Sequence, residues 1–160
     1  MQKQYSGAKK KKKKRRASCI IEIIDPQGVR CVLISKQRGD HYDMIPGGGI
    51  DRGEPPIVAA IREVNEETTL HTEAIIKLFD HESQYTQHLV FLIQTEGSDF
   101  EPRDDVEDLW LLPIYECRDL SKYDQLSRST KHILTQYFEW REGHNFTFPS
   151  PPKSIEDISS

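Results

Sequence analysis

The run from Gly48 to Leu70, GGIDRGEPPIVAAIREVNEETTL, constrains this chain more than any other segment. Pro55-Pro56 predicts a helix start, because proline is tolerated in the first turn, where its missing N–H has no partner. From there Ile57, Ala60, Ile61 and Val64 recur at spacings of three and four and predict a shared apolar face. Glu63, Glu66 and Glu67 stand at i, i+3 and i+4, so they gather on an adjacent face. Like charges at that spacing destabilise a helix by a few tenths of a kcal/mol per pair, roughly, and Arg62, four residues before Glu66, relieves only part of it. A bound cation relieves the rest. Magnesium suits such a set, being a hard ion that takes oxygen ligands from a few carboxylates, water and substrate phosphates. A merely solvated acidic face leaves Gly48, Glu54 and Arg62 at their fixed spacing without a reason.

The same residues resemble the Nudix box, G-x5-E-x7-R-E-U-x-E-E-x-G-U, where U is aliphatic. Gly48, Glu54, Arg62, Glu63, Val64, Glu66, Glu67 and Leu70 match it. The resemblance implies an α/β fold, an α/β/α sandwich with a mixed sheet, and hydrolysis of a nucleoside diphosphate linked to another group by water attack at phosphorus. It implies Mg2+, or Mn2+ in its place, held by Glu66, Glu67 and the Gly47 carbonyl. Glu63 is then a third ligand or the base, while Arg62 and Glu54 orient the carboxylates. Thr69 stands where the pattern has glycine. A β-branched residue in the left-handed region carries strain of about 1–3 kcal/mol, so the helix is expected to end by another route.

At 160 residues the chain fits one domain with a sizeable core, and no apolar run reaches the length of a membrane span. Cys19, Cys31 and Cys117 form no C-x-x-C pair, which fits free thiols in a reducing compartment, with the cytoplasm as the default. Charge is uneven. Residues 1–16 carry nine cationic side chains and no acid, and removing them from the formal net charge of −4 leaves −13 for residues 17–160. The block at residues 9–16 is expected to repel itself into disorder and to offer a surface for RNA or another anion. The acidic body argues against a broad duplex-binding surface. Three parts are therefore expected: a disordered basic leader over 1–17, a Nudix-type domain over 18–142, and a flexible tail with proline and serine over 143–160.

Along the domain, Ala17 to Ile24 and Val29 to Ser35 read as a hairpin across the turn Asp25-Pro26-Gln27-Gly28. A polar loop leads to the triplet Gly47-Gly48-Gly49, whose backbone can approach a ligand closely. After the box helix, Thr72 to Ser83 and Gln87 to Thr95 read as strands, Leu109 to Ile114 as a short one, and Gln125 to Arg141 as a closing amphipathic helix.

Further site candidates lie outside the box. The resemblance implies an additional acid from a late loop; Glu101, Asp104, Asp105 and Glu107 are available, and Glu107 is favoured because it precedes the strand holding Trp110. Arg38, His41, Gly48, His88 and Tyr85 are candidates for substrate contact, with Trp110 and Tyr115 as less favoured stacking rings. Tyr85 leans faintly towards dinucleoside polyphosphates, and a chain without an added domain suits nucleoside triphosphates equally. The leading expectation is a magnesium-dependent nucleotide pyrophosphohydrolase. The alternatives are an enzyme on RNA 5′ ends that uses the basic leader, and a non-catalytic nucleotide-binding regulator. Oligomeric state is not written in the sequence.

Overall fold

A computed structural model describes residues 12–149. Its elements are β1 (Lys14–Ile24), β2 (Arg30–Gln37), β3 (Gly47–Gly49), α1 (Pro56–Thr68), β4 (Thr72–Glu82), β5 (Thr86–Thr95), β6 (Val106–Pro113) and α2 (Arg128–Gly143). A short 3-10 helix, Ile114–Arg118, joins β6 to the segment before α2. The strands form one sheet in the order β4-β5-β1-β2-β6, with β3 also paired to β1. β1 runs parallel to β5, and the other pairs are antiparallel.

β1 is the central strand, and its burial explains its sequence. Ala17, Cys19, Ile21 and Ile23 pack towards Ala59, Ala60 and Val64 of α1. Ile20 belongs to the opposite layer, with Ile133, Leu134 and Tyr137 of α2. A strand covered on both faces reads as a nearly continuous apolar run rather than an alternation. Apolar layers on both sides of a mixed sheet make the expected α/β/α sandwich.

Glu22 is the charged exception in β1. It is buried and accepts hydrogen bonds from the Tyr137 hydroxyl, from Arg141 Nε at 3.0 Å and from Arg30 Nη1 at 2.8 Å. Such a carboxylate is tolerable in a core only when its oxygens are paired, and here the pairing ties α2 to the sheet.

Four expectations change. The leader boundary at residue 17 falls inside a strand, because β1 begins at Lys14 and pairs along β5 from Lys14↔Thr86 onward. Backbone pairing is indifferent to side-chain charge, so a cationic run can enter a sheet at its rim. Residues 1–11, the rest of the expected leader, lie outside the described residues.

The apolar face of α1 is also rotated. Ala59, Ala60 and Val64 are buried, whereas Ile57 and Ile61 are 43% and 41% exposed. The small residues let the helix backbone approach the sheet closely, which turns the isoleucines outward. Thr69 takes the left-handed conformation after all, at φ 66°, with its N–H bonded to the Asn65 carbonyl at 3.0 Å. Finally, the expected tail boundary at 143 falls within the folded chain. Gly143 still belongs to α2, Phe148 is buried, and Phe146 packs on Trp140, while residues 150–160 lie outside the described residues. The closing helix itself starts at Arg128, capped by Ser127 accepting the Thr130 N–H at 3.1 Å.

Candidate active site

The carboxylates of α1 meet the glycine strand β3 because β3 is paired to β1 directly above the helix, Ser18 opposite Gly47 and Ala17 opposite Gly48. Glycine is required at Gly47, and at Gly48 it leaves Glu63 its place. Gly47 has φ 148°, and a Cβ there would collide with the Ala17 carbonyl. A Cβ on Gly48 would occupy the space of the Glu63 carboxylate. The Gly47 N–H donates to Glu67 Oε1 at 2.9 Å, so the contact seen from this residue to the carboxylates runs through its amide.

Arg62 organises the acids. Its Nε and Nη2 grip the two oxygens of Glu54 at 2.8 and 2.9 Å, a bidentate pairing that fixes the guanidinium plane. Its Nη1 then reaches Glu63 Oε1 at 2.9 Å and Glu66 Oε1 at 3.0 Å, and Nη2 also donates to the Gly49 carbonyl at 3.2 Å. The hydrogen bonds from Arg62 hold the Glu54 carboxyl down at about 2, with the Asp51 amide adding to them. One side chain thus gathers the loop before α1, the β3 backbone and two of the three clustered glutamates.

The three glutamates occupy different surroundings. Glu67 is buried, and burial pushes its carboxyl up to about 7 against the Gly47 amide, the Arg16 charge and the Gln37 amide. Gln37 Nε2 donates to Glu67 Oε2 at 2.8 Å. Glu63 is raised chiefly by burial, with Arg62 opposing. Glu66 is the open one, its side chain 45% exposed. Among the described residues no three carboxylate, imidazole or thiolate groups already stand at metal-holding distance, since Arg62 is threaded among them. The donor chemistry nevertheless fits a hard divalent ion. The set is all oxygen, and a bound cation would offset the burial that raises the carboxyls of Glu67 and Glu63.

Other expected residues divide into near and far. His88, on β5, is buried and bonded through Nδ1 to Ser18 Oγ at 2.8 Å, and it borders a cleft of about 260 Å³ between the sheet and the start of α2. Burial, then the Arg16 and His81 charges, hold its imidazole at about 4. Tyr85 lies on the β4–β5 turn and is 73% exposed. Arg38 and His41 are exposed on the loop before β3, with the Arg38 N–H bonded to the Asp105 carbonyl at 2.7 Å. Glu107 is not brought to the carboxylates by any contact and pairs instead with Lys36 at 3.6 Å. The loop holding Glu101, Asp104 and Asp105 closes over the end of α1 through backbone bonds, Glu101 N–H to the Thr68 carbonyl and Arg103 N–H to the Glu67 carbonyl. Trp110 donates to Asp43 at 2.9 Å and stacks on Tyr123, while Tyr115 stands exposed.

Arg16, Ser18 and Gln37 were absent from the expected site. Arg16 donates to the Ile45 carbonyl at 3.0 Å and borders the same cleft as His88. A signal existed: in β1 the positions 16, 18, 20 and 22 share one face, and three of them are polar.

A sequence model of the NUDIX domain matches residues 13–128. This chain belongs to the NUDIX family. The match begins one residue before β1, in accord with a folded rather than a trailing Lys14–Arg16. Among solved structures, a nudix hydrolase family member from Chromobacterium violaceum is 29% identical with a TM-score of 0.68, over 88% of this chain and 84% of that one. A MutT/nudix family protein from Enterococcus faecalis shares the fold at 15% identity, with a TM-score of 0.71 over 94% of this chain and 69% of that one. An 8-oxo-(d)GTP phosphatase of Mycolicibacterium smegmatis is 32% identical over 103 residues, 61% of this chain. The chain spans only 31% of the length of that curated relative.

Proposed function

We propose that this NUDIX chain is a divalent-metal-dependent pyrophosphohydrolase, cleaving a nucleoside diphosphate linked to another group by water attack at phosphorus. Nucleoside triphosphates and dinucleoside polyphosphates are the substrate types in view. The supporting observation is the Arg62 clamp, which gathers Glu54, Glu63 and Glu66 beside the glycine backbone of β3, with Glu67 buried behind them.

Magnesium, or manganese, would be held by Glu66, Glu67 and the Gly47 carbonyl, with Glu63 either a third ligand or the base, and when bound it would supply Lewis acidity and charge neutralisation at phosphate oxygens. The chain's own residues do the rest. Arg62 keeps the carboxylates from swinging apart, and Glu54 keeps Arg62 in plane. The base role is favoured by burial, which raises the proton affinity of Glu63, whose carboxylate lies against the Gly48 backbone. Arg16, bonded to the Ile45 carbonyl, borders the cleft and its charge acts on Glu63 and Glu67, which makes it a candidate to meet phosphate oxygens.

The likeness to the M. smegmatis 8-oxo-(d)GTP phosphatase puts purine triphosphates, oxidised and normal, at the head of a substrate panel. The deciding assay incubates the protein with that panel, dinucleoside polyphosphates and 5′-triphosphorylated RNA in 18O-water with magnesium. Metal-dependent turnover with one 18O in a phosphate product supports the reading. Nucleotide binding without turnover under magnesium and manganese would overturn it in favour of a non-catalytic regulator.

A further inference from the structure

Three clefts meet at the β4–β5 turn, Ser83 to Thr86, and all three carry cationic side chains. The innermost, about 260 Å³, has Arg16 and His88 in its wall together with six hydroxyl side chains, Ser18, Ser83, Thr86, Ser127, Ser129 and Thr130. Next to it, sharing Ser83 and Ser129, is a cleft of about 380 Å³ bounded by Arg128, His132 and His81. The third, about 400 Å³, shares Thr86 with the first and Tyr85 with the second, and is bounded by Lys12, Lys13 and Lys14. Glu82 in the second cleft is the acid among them, and Lys13 lies 3.4 Å from it. The Lys14 N–H is bonded to the Tyr85 carbonyl at 3.1 Å, which pins the cationic strand end to the turn. In a chain whose residues 17–160 carry −13, this concentration of positive charge stands out.

We propose that these clefts bind phosphate groups on the far side of the scissile anhydride, so that the group linked to the diphosphate is a small, multiply phosphorylated one. The proposal rests on the pyrophosphohydrolase reading and names the substrate class for that same site. Two features favour phosphates over a base. The inner cleft sets hydroxyls, a guanidinium and one imidazole beside the aliphatic Met44, Ile45 and Ile133 but has no phenyl, phenol or indole ring, whereas base recognition draws on aromatic stacking. The outer clefts have one such ring between them, Tyr85, set on the side of the turn rather than facing a second ring. A single-stranded RNA would need successive stacking platforms along an extended groove. The clefts instead surround a four-residue turn and suit a compact polyanion.

The test measures binding by calorimetry with metal removed by EDTA, when the bare carboxylates repel anions and only the cationic clefts attract them. The probes are inorganic tripolyphosphate, adenosine and a 5′-phosphorylated oligonucleotide. Tripolyphosphate should bind, and its affinity should fall about tenfold or more in Arg128→Ala and in the combined Lys12→Ala, Lys13→Ala, Lys14→Ala variant, as expected for lost charge-assisted contacts, while any affinity for adenosine should be the same in wild type and variants. Far-ultraviolet circular dichroism and the urea midpoint of both variants should match wild type, so that lost affinity reads as lost contacts rather than lost fold. Unchanged tripolyphosphate affinity in the variants, or adenosine binding that the same substitutions weaken, would overturn the proposal. So would tighter binding of the oligonucleotide, which would assign the clefts to RNA. Failure of turnover in the wild-type protein with intact tripolyphosphate binding would sink the hydrolase reading and leave the phosphate clefts standing.

Discussion

Replacing Thr69 with glycine should stabilise the protein. Thr69 sits at φ 66° and ψ 0° after the last turn of α1, a conformation that glycine adopts without steric conflict. A β-branched residue held there carries roughly 1–3 kcal/mol of strain. Glycine returns part of that gain, because its unfolded chain loses about 0.5–1 kcal/mol more conformational freedom on folding. The cap itself is unaffected, since the bond to the Asn65 carbonyl comes from the Thr69 backbone N–H at 3.0 Å. The net expectation is a gain of about 0.5–2 kcal/mol, which for a chain of this size raises Tm by about 1–8 °C. Urea and thermal unfolding of wild type, Thr69→Gly and Thr69→Val, in metal-free buffer, provide the comparison. Thr69→Val should lie at or below wild type, because it keeps the branch and loses only the hydroxyl. A Thr69→Gly variant no more stable than wild type would refute the strain argument, and equal loss in both variants would point to a role for the threonine side chain.

Three further outcomes follow from the site and its surroundings. Arg62→Lys should lower kcat by about a hundredfold, because an ammonium keeps the charge but cannot hold both Glu54 oxygens while reaching Glu63 and Glu66; steady-state kinetics should show Arg62→Lys close to Arg62→Met. Magnesium should raise Tm by linkage to the native state, and the gain should be larger at pH 8 than at pH 5.5. The sign comes from Glu67: its folded pKa, about 7, is raised, so its contribution to folding weakens as pH rises from about 4.5 to about 7, and bound metal offsets that repulsive ionised state. His88 works in the other direction on the acid side. Its folded pKa is lowered to about 4, so the stability it contributes is complete above about 6.5 and is lost as pH falls towards 4. A His88→Gln variant should show a flatter decline of urea midpoint over that window, and an identical decline would exclude His88 as the source.

Fixed spacing made the carboxylate helix legible, because Glu63, Glu66 and Glu67 must share a face whatever the surrounding fold. The paired strands were legible for a similar reason: apolar runs bounded by turn residues such as Asp25-Pro26-Gln27-Gly28 leave little freedom. The orientation of α1 was not, because Ile57, Ala60, Ile61 and Val64 fit one stripe while Ala59, Ala60 and Val64 fit another, and only the sheet decides which lies beneath. The cationic start of β1 was misjudged because charge patterning describes side chains, whereas pairing of Lys14 to Arg16 with Thr86 to His88 is a backbone matter. Glu107 was favoured by its position in the chain, and its carboxylate stands 3.6 Å from the Lys36 ammonium. The Glu22–Tyr137–Arg141 contacts join residues more than a hundred positions apart, and no local pattern announces such a pairing.

The central claim is that the α1 carboxylates perform metal-dependent hydrolysis, and kcat of Glu66→Gln and Glu67→Gln at saturating magnesium tests it most directly. Each substitution keeps the shape and removes a charged oxygen from the cluster. The account predicts losses beyond about a hundredfold in both, with far-ultraviolet circular dichroism unchanged. Rates near wild type in both variants would contradict it.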